Sequence, residues 1–72
     1  MKKYNFKYHM NYDIQHYDFL FTKKQYYKVI DFMKKNNIKN YGGFLFEDLI
    51  DLQFDCNKVY LGLIEKIMKE NM

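Results

Sequence analysis

A chain of 72 residues holds one domain at most, and at that length folding removes only about 60% of the unfolded surface from water, so any core is small. Hydrophobic residues make up 49% of it, and eight Tyr and seven Phe supply large rings that offset the short length. The net charge of +3, twelve Lys against nine acids, allows weak attraction to nucleic acid without specifying it, and the absence of Arg removes the commonest bidentate reader of guanine.

Ala, Arg, Ser, Pro and Trp are absent, whereas Lys, Asn, Ile, Tyr and Phe abound, the signature of AT-rich codons. That points to an AT-rich bacterium, phage or virus. No run approaches the ~18 apolar residues of a membrane span, and no signal-peptide core follows Met1-Lys2-Lys3. The lone Cys56 allows no internal disulfide and suits a reducing cytosol, so the expected place is the cytoplasm of a bacterial or phage-infected cell.

From Tyr4 to Ile14 apolar and polar residues alternate: Tyr4, Phe6, Tyr8, Met10, Tyr12 and Ile14 against Asn5, Lys7, His9, Asn11 and Asp13. The period of two predicts a strand over 3–14 with one wet face. At Gln15-His16 the phase slips, and Tyr17, Phe19 and Phe21 carry the apolar set onward. A one-residue slip moves side chains to the other face, so a turn or bulge is expected near Asp13–His16, with a second strand over 17–21 closing a hairpin.

Thr22 with Gln25 three residues on fits a capping box opening a helix over 23–36. Tyr26, Val29, Ile30 and Met33 form its apolar stripe, and Asn36-Asn37 its end. Gly42-Gly43 reads as the flexible point of a loop over 38–43. Beyond it two periods compete: Leu45, Leu49 and Leu52 with Phe46 and Ile50 suit a helix, while Phe44, Phe46, Leu52 and Phe54 suit strand pieces. A helix over 44–53 gives Glu47, Asp48 and Asp51 a shared polar face and places acids near the positive end of the dipole, so helix is the expectation. Asp55 or Asn57 caps a last helix over 57–70, with Tyr60, Leu63, Ile64, Ile67 and Met68 as its stripe. The expected fold is α+β: an N-terminal hairpin packed on two or three helices, in a single domain over 1–72.

The chemistry-bearing residues form no recognisable site. His9, His16 and Cys56 are the only soft ligands, without zinc-site spacing, so no metal and no cofactor are expected. Cys56 with a His lacks an orienting third group and an oxyanion loop. Glu47, Asp48, Asp51 and Asp55 fit a solvated helix face better than an acid–base pair, and Gly42-Gly43 lacks the rest of a phosphate loop. Catalysis is therefore not expected.

Two surfaces remain. Asn5, Lys7, His9 and Asn11 line the wet face of the first strand, and with Tyr17 and Tyr41 they are the candidate protein contacts, since Tyr joins rigid contact area to a hydrogen-bonding tip. Lys23, Lys24 and Lys28, within a cluster that also holds Lys34, Lys35 and Lys39, are with Lys7 and His9 the candidate nucleic-acid contacts. The leading expectation is a non-enzymatic regulator that binds another protein or itself, of a kind a phage or mobile element carries to inhibit a host or defence protein.

Residues 17–50 also resemble the ribbon-helix-helix family of DNA-binding repressors. The likeness rests on the short strand Tyr17, Phe19, Phe21, on Thr22 at the helix start, on a first helix ending in residues 29–38, and on an amphipathic segment from Phe44. It implies a homodimer whose paired strands enter the major groove, with reading positions falling on His16, Asp18 and Leu20. Asp18 and Leu20 depart from that role, because neither suits contact beside phosphate, and the strand Tyr4–Ile14 has no usual counterpart in the family.

Overall fold

The computed structural model describes residues 14–72. These run β1 (Ile14–Phe21), α1 (Lys23–Lys35), β2 (Lys39–Phe46), β3 (Leu49–Asn57) and α2 (Lys58–Glu70). The protein is α+β, and the described residues form a three-stranded antiparallel sheet in the order β1-β3-β2 and two helices. Because β3 pairs antiparallel with both neighbours, β1 and β2 run parallel on either side of it, and α1 carries the chain from one to the other.

β1 keeps the alternation that its residues predict. Tyr17 and Phe19 are half-buried and Phe21 fully buried, while His16, Asp18 and Leu20 are exposed. The strand starts earlier than the phase slip suggests, and its partner is β3: Ile14 lies opposite Asn57, His16 opposite Asp55 and Phe21 opposite Ile50. The turn expected at Asp13–His16 therefore does not fall on residues 14–16, whose places are fixed by the far end of β3. The expected first strand, 3–14, lies outside the described residues except for Ile14.

The capping box forms as the sequence implies. Gln25 N donates to Thr22 Oγ1 (3.2 Å), and Thr22 N donates to Gln25 Oε1 (2.9 Å). Gln25 is itself buried, and its Nε2 donates to Met68 O (2.9 Å), tying the start of α1 to the end of α2. Val29 and Met33 enter the core, with Tyr26 and Ile30 packed beside them. Asn36 caps the helix, and Asn37 takes the left-handed conformation at φ 54.

The stretch from 39 to 57 corrects the sequence reading. It holds two strands and no helix over 44–53. Along β3, Leu52, Phe54 and Cys56 are buried while Asp51, Gln53 and Asp55 point the other way, a period of two. Glu47-Asp48 form a two-residue turn between Phe46 and Leu49, with Glu47 at φ 57. The acids expected on one helix face are thereby split between that turn and the strand.

Gly42-Gly43 is likewise no loop. The register shifts between Asn40 and Gly43, a bulge in which Gly42 takes φ 85. A Cβ on Gly43 would lie 2.7 Å from Ile50 Cγ2 and 2.9 Å from Tyr26 Cε1, so the Ile50 side chain and the Tyr26 ring fill the space that a side chain here would need. Gly43→Ala is expected to cost about 1–3 kcal/mol by overpacking. Gly62→Ala, where a Cβ meets nothing within 4 Å on helix α2, is expected to gain about 0.5–1 kcal/mol. Paired thermal melts check both signs.

α2 starts at its cap, Asn57, whose Oδ1 accepts from Val59 N (3.0 Å). Ile64 is its fully buried residue, with Tyr60, Leu61, Ile67 and Met68 packed around it. Leu61 takes the place expected for Leu63, which is exposed. The core is Phe21, Val29, Met33, Ile38, Leu52, Phe54, Cys56 and Ile64. Both helices therefore lie on one side of the sheet, and among the described residues nothing covers the other.

Candidate functional site: the uncovered sheet face

The strand period places a mixed group of side chains on the bare face. β1 contributes His16, Asp18 and Leu20, β3 contributes Asp51, Gln53 and Asp55, and β2 contributes Tyr41, Phe44 and Phe46. One end is polar. His16 Nδ1 meets Asp55 Oδ1 at 2.7 Å, His16 Nε2 meets Gln53 Oε1 at 3.1 Å, and Tyr41 Oη donates to Asp55 Oδ2 at 2.5 Å. The His16 and Tyr41 rings lie 5.4 Å apart, and Lys39 Nζ sits 5.1 Å from the centre of the Tyr41 ring. Asp55 thus joins all three strands.

Charge follows from this geometry. Asp55, receiving hydrogen bonds from Tyr41 and then His16, is held below its usual 3.8. His16 is raised above 6.5, chiefly by its bond to Asp55. A raised His pKa gives stability that is complete below pH 6.5 and is lost as pH rises through the raised value. A lowered Asp pKa gives stability present above pH 3.8 and lost as pH falls through the lowered value. The melting temperature is therefore expected to peak between about pH 4 and 6.5 and to fall on the alkaline side, with His16→Ala flattening that alkaline fall. Thermal melts of both chains from pH 3 to 9 check it.

The middle of the face holds a strained pair. Asp51 Oδ1 is buried and finds no hydrogen-bond donor, and the carboxyl beside it is Asp18 on the next strand. Two ionised carboxylates supply no donor to each other, so a proton shared with Asp18 is favoured. That hydrogen bond, then burial and the charge of Asp18, raises Asp51 above 3.8. A raised carboxyl pKa means stability lost as pH rises above 3.8, so the ionised pair weakens the fold at neutral pH. Asp51→Asn is expected to raise the melting temperature by a few degrees at pH 7 and by less at pH 3.

The other end is apolar. Leu20 is 48% exposed, Phe44 62% and Phe46 60%. Charge is also segregated by layer. The two helices carry eight Lys against three acids, whereas the strands and the β2–β3 turn carry one Lys against five acids.

The candidate residues fall in different places. Tyr41 is on the bare face, 45% exposed. Tyr17 is on the helix side, its ring 5.7 Å from that of Phe54. Lys23, Lys24 and Lys28 are exposed along α1, away from the sheet face. Asn5, Lys7, His9 and Asn11 lie outside the described residues. Cys56 and His16 are not brought together: Cys56 is buried on the helix side, and burial pushes its thiol pKa up. Among the described residues no three His, Cys, Asp or Glu side chains are grouped to hold a metal ion, and no helix is long and apolar enough to cross a membrane.

Sequence reasoning missed His16, Asp55 and Gln53 as partners, and also Phe44, Phe46 and Asp51 as a surface. The alternation of Asp51, Gln53 and Asp55 with Leu52, Phe54 and Cys56 was the signal that could have found them. No family model matches the chain, and neither characterised proteins nor solved structures include a match.

Proposed function

We propose that this chain is a non-enzymatic protein-binding regulator that docks its partner on the bare sheet face, and that the partner presents an apolar strip beside a Lys or Arg. The observation carrying the reading is the juxtaposition of Leu20, Phe44 and Phe46 with Asp18 and Asp51, whose buried Oδ1 lacks a donor. A cationic side chain set against the exposed side of the two carboxylates relieves their repulsion, while the rings bury against apolar groups. Acidic side chains on this face also disfavour phosphate. The small size and AT-rich composition fit an inhibitor of a host or defence protein carried by a phage or mobile element.

Amide-shift titration with synthetic peptides tests the chemistry. A peptide alternating Leu and Lys is expected to shift Leu20, Phe44, Phe46 and Asp51, and a Leu/Glu peptide to leave them still. Shifts confined to α1, or equal shifts with both peptides, overturn the reading.

The basic helix layer favours a second reading, a homodimeric DNA-binding repressor that contacts phosphates through Lys23, Lys24 and Lys28, with Lys7 and His9 reading bases; strands over 39–57 stand where a ribbon-helix-helix chain has its second helix, so only the strand-then-helix start of that likeness remains. It requires a dimer by light scattering and duplex affinity that falls steeply with salt, each neutralised phosphate adding about −0.9 to the log–log slope. A monomer whose weak duplex binding is insensitive to Lys24→Ala and Lys28→Ala ends it.

A further inference from the structure

We infer that His16 and Gln53 form a proton-operated switch on the bare face. A charged His16 holds the Gln53 amide with its carbonyl to the ring, a neutral His16 reverses the amide, and the face then holds a cationic group more tightly as pH rises. The last step rests on the docking reading, whereas the switch itself does not.

The geometry defines one protonation state. Both nitrogens of the His16 ring meet oxygens: Nδ1 meets Asp55 Oδ1 at 2.7 Å and Nε2 meets Gln53 Oε1 at 3.1 Å. Neither oxygen has a hydrogen to give. The second oxygen of Asp55 accepts from the Tyr41 hydroxyl, so the carboxylate is an acceptor at both ends, and an amide oxygen only accepts. A ring that donates from both nitrogens is an imidazolium. The charged and titratable groups around it among the described residues agree. Asp55 of β3, through its hydrogen bond first and its charge after, and Asp18 of β1 hold the proton on His16 above the usual 6.5. On β2, Tyr41 is raised above 10.0, chiefly by its bond to Asp55, and stays neutral, while Lys39 lies against the Tyr41 ring.

Loss of one proton leaves a single arrangement that keeps both contacts. Asp55 still needs a donor, so Nδ1 keeps its hydrogen and Nε2 is left with a lone pair. Two acceptors then meet at Nε2 unless the Gln53 amide makes half a turn and offers its NH2 instead. A neutral imidazole in water favours the other tautomer, with its hydrogen on Nε2, so the Asp55 contact imposes a form that an unpartnered ring does not choose. Gln53 also lies opposite Asp18 in the β1–β3 register and two residues from Asp51, so its amide borders the carboxylate pair. With His16 charged, the ring and the outward NH2 both oppose a cation there. With His16 neutral, the charge is gone and a carbonyl oxygen stands where the NH2 stood. Both changes favour a partner's Lys or Arg.

Long-range nitrogen–proton spectra of the chain alone, from pH 4 to 9, test the switch. Both His16 nitrogens are expected to be protonated at the acid end and Nδ1 alone above a midpoint higher than 6.5, with the Gln53 NH2 signals moving at the same midpoint. Gln53→Glu has no donor to turn toward the ring, so it is expected to raise the midpoint further. A neutral ring protonated on Nε2, Gln53 signals that ignore His16, or an unmoved midpoint in Gln53→Glu overturns the switch. The Leu/Lys peptide is then titrated one pH unit below and one above the midpoint, and tighter binding above is expected. Equal binding at both overturns the regulation and leaves the docking reading standing. No binding at either overturns the docking reading and the regulation together, while the ring and amide spectra still decide the switch.

Discussion

Phe54→Ala is expected to unfold a large part of the population at room temperature. Phe54 is fully buried in the middle of the central strand, with the rings of Tyr17 and Phe19 at 5.7 and 5.5 Å. Removing such a ring costs about 3–5 kcal/mol through lost burial and the cavity left behind. Single domains are stable by only about 5–15 kcal/mol, and one this short sits toward the low end. The sheet cannot collapse onto the gap, because β3 is held on both sides by hydrogen-bonded neighbours. Urea titration followed by circular dichroism measures the loss; a midpoint shifted by less than a third would place the centre of the core elsewhere.

Phe44→Ala and Phe46→Ala are expected to do the opposite: to leave the fold intact and remove partner binding. Both rings are well exposed, so their loss changes folding by no more than about 0.5 kcal/mol. In a docked complex they are the large apolar groups of the face, the kind of residue whose removal costs about 2 kcal/mol or more, roughly 30-fold in affinity. Equal melting temperatures with a 30-fold weaker complex fit this account. A weaker complex in proportion to a lower melting temperature would mean that the rings hold the fold and not the partner.

How far the sequence speaks depends on whether its signals are local. Thr22 and Gln25 are three residues apart, and the box they form is legible as written, as are Val29 and Met33 on one helical stripe and Asn57 at a helix start. The strands over 39–57 are harder because Phe44-Leu45-Phe46 and Leu49-Ile50 are contiguous apolar pieces that satisfy both periods, and the turn between them lacks Gly. Gly43 looks like a hinge until Tyr26 and Ile50 are seen where its side chain would be. The His16–Asp55 contact spans 39 residues and the Tyr41–Asp55 contact 14, so no spacing motif announces them. Only strand pairing brings them together, and that pairing turns on β3, the element the helical reading displaced.

The bare face is tested most directly by a photo-crosslinking residue placed at Phe44, with the same residue at Lys28 on the helix layer as the comparison, in extract from an AT-rich bacterial host. The account predicts one stoichiometric protein adduct from position 44, suppressed by excess unmodified chain but not by excess Phe46→Ala chain, and none from position 28. An adduct formed only from position 28, or nucleic acid recovered without a protein adduct at 44, would contradict it.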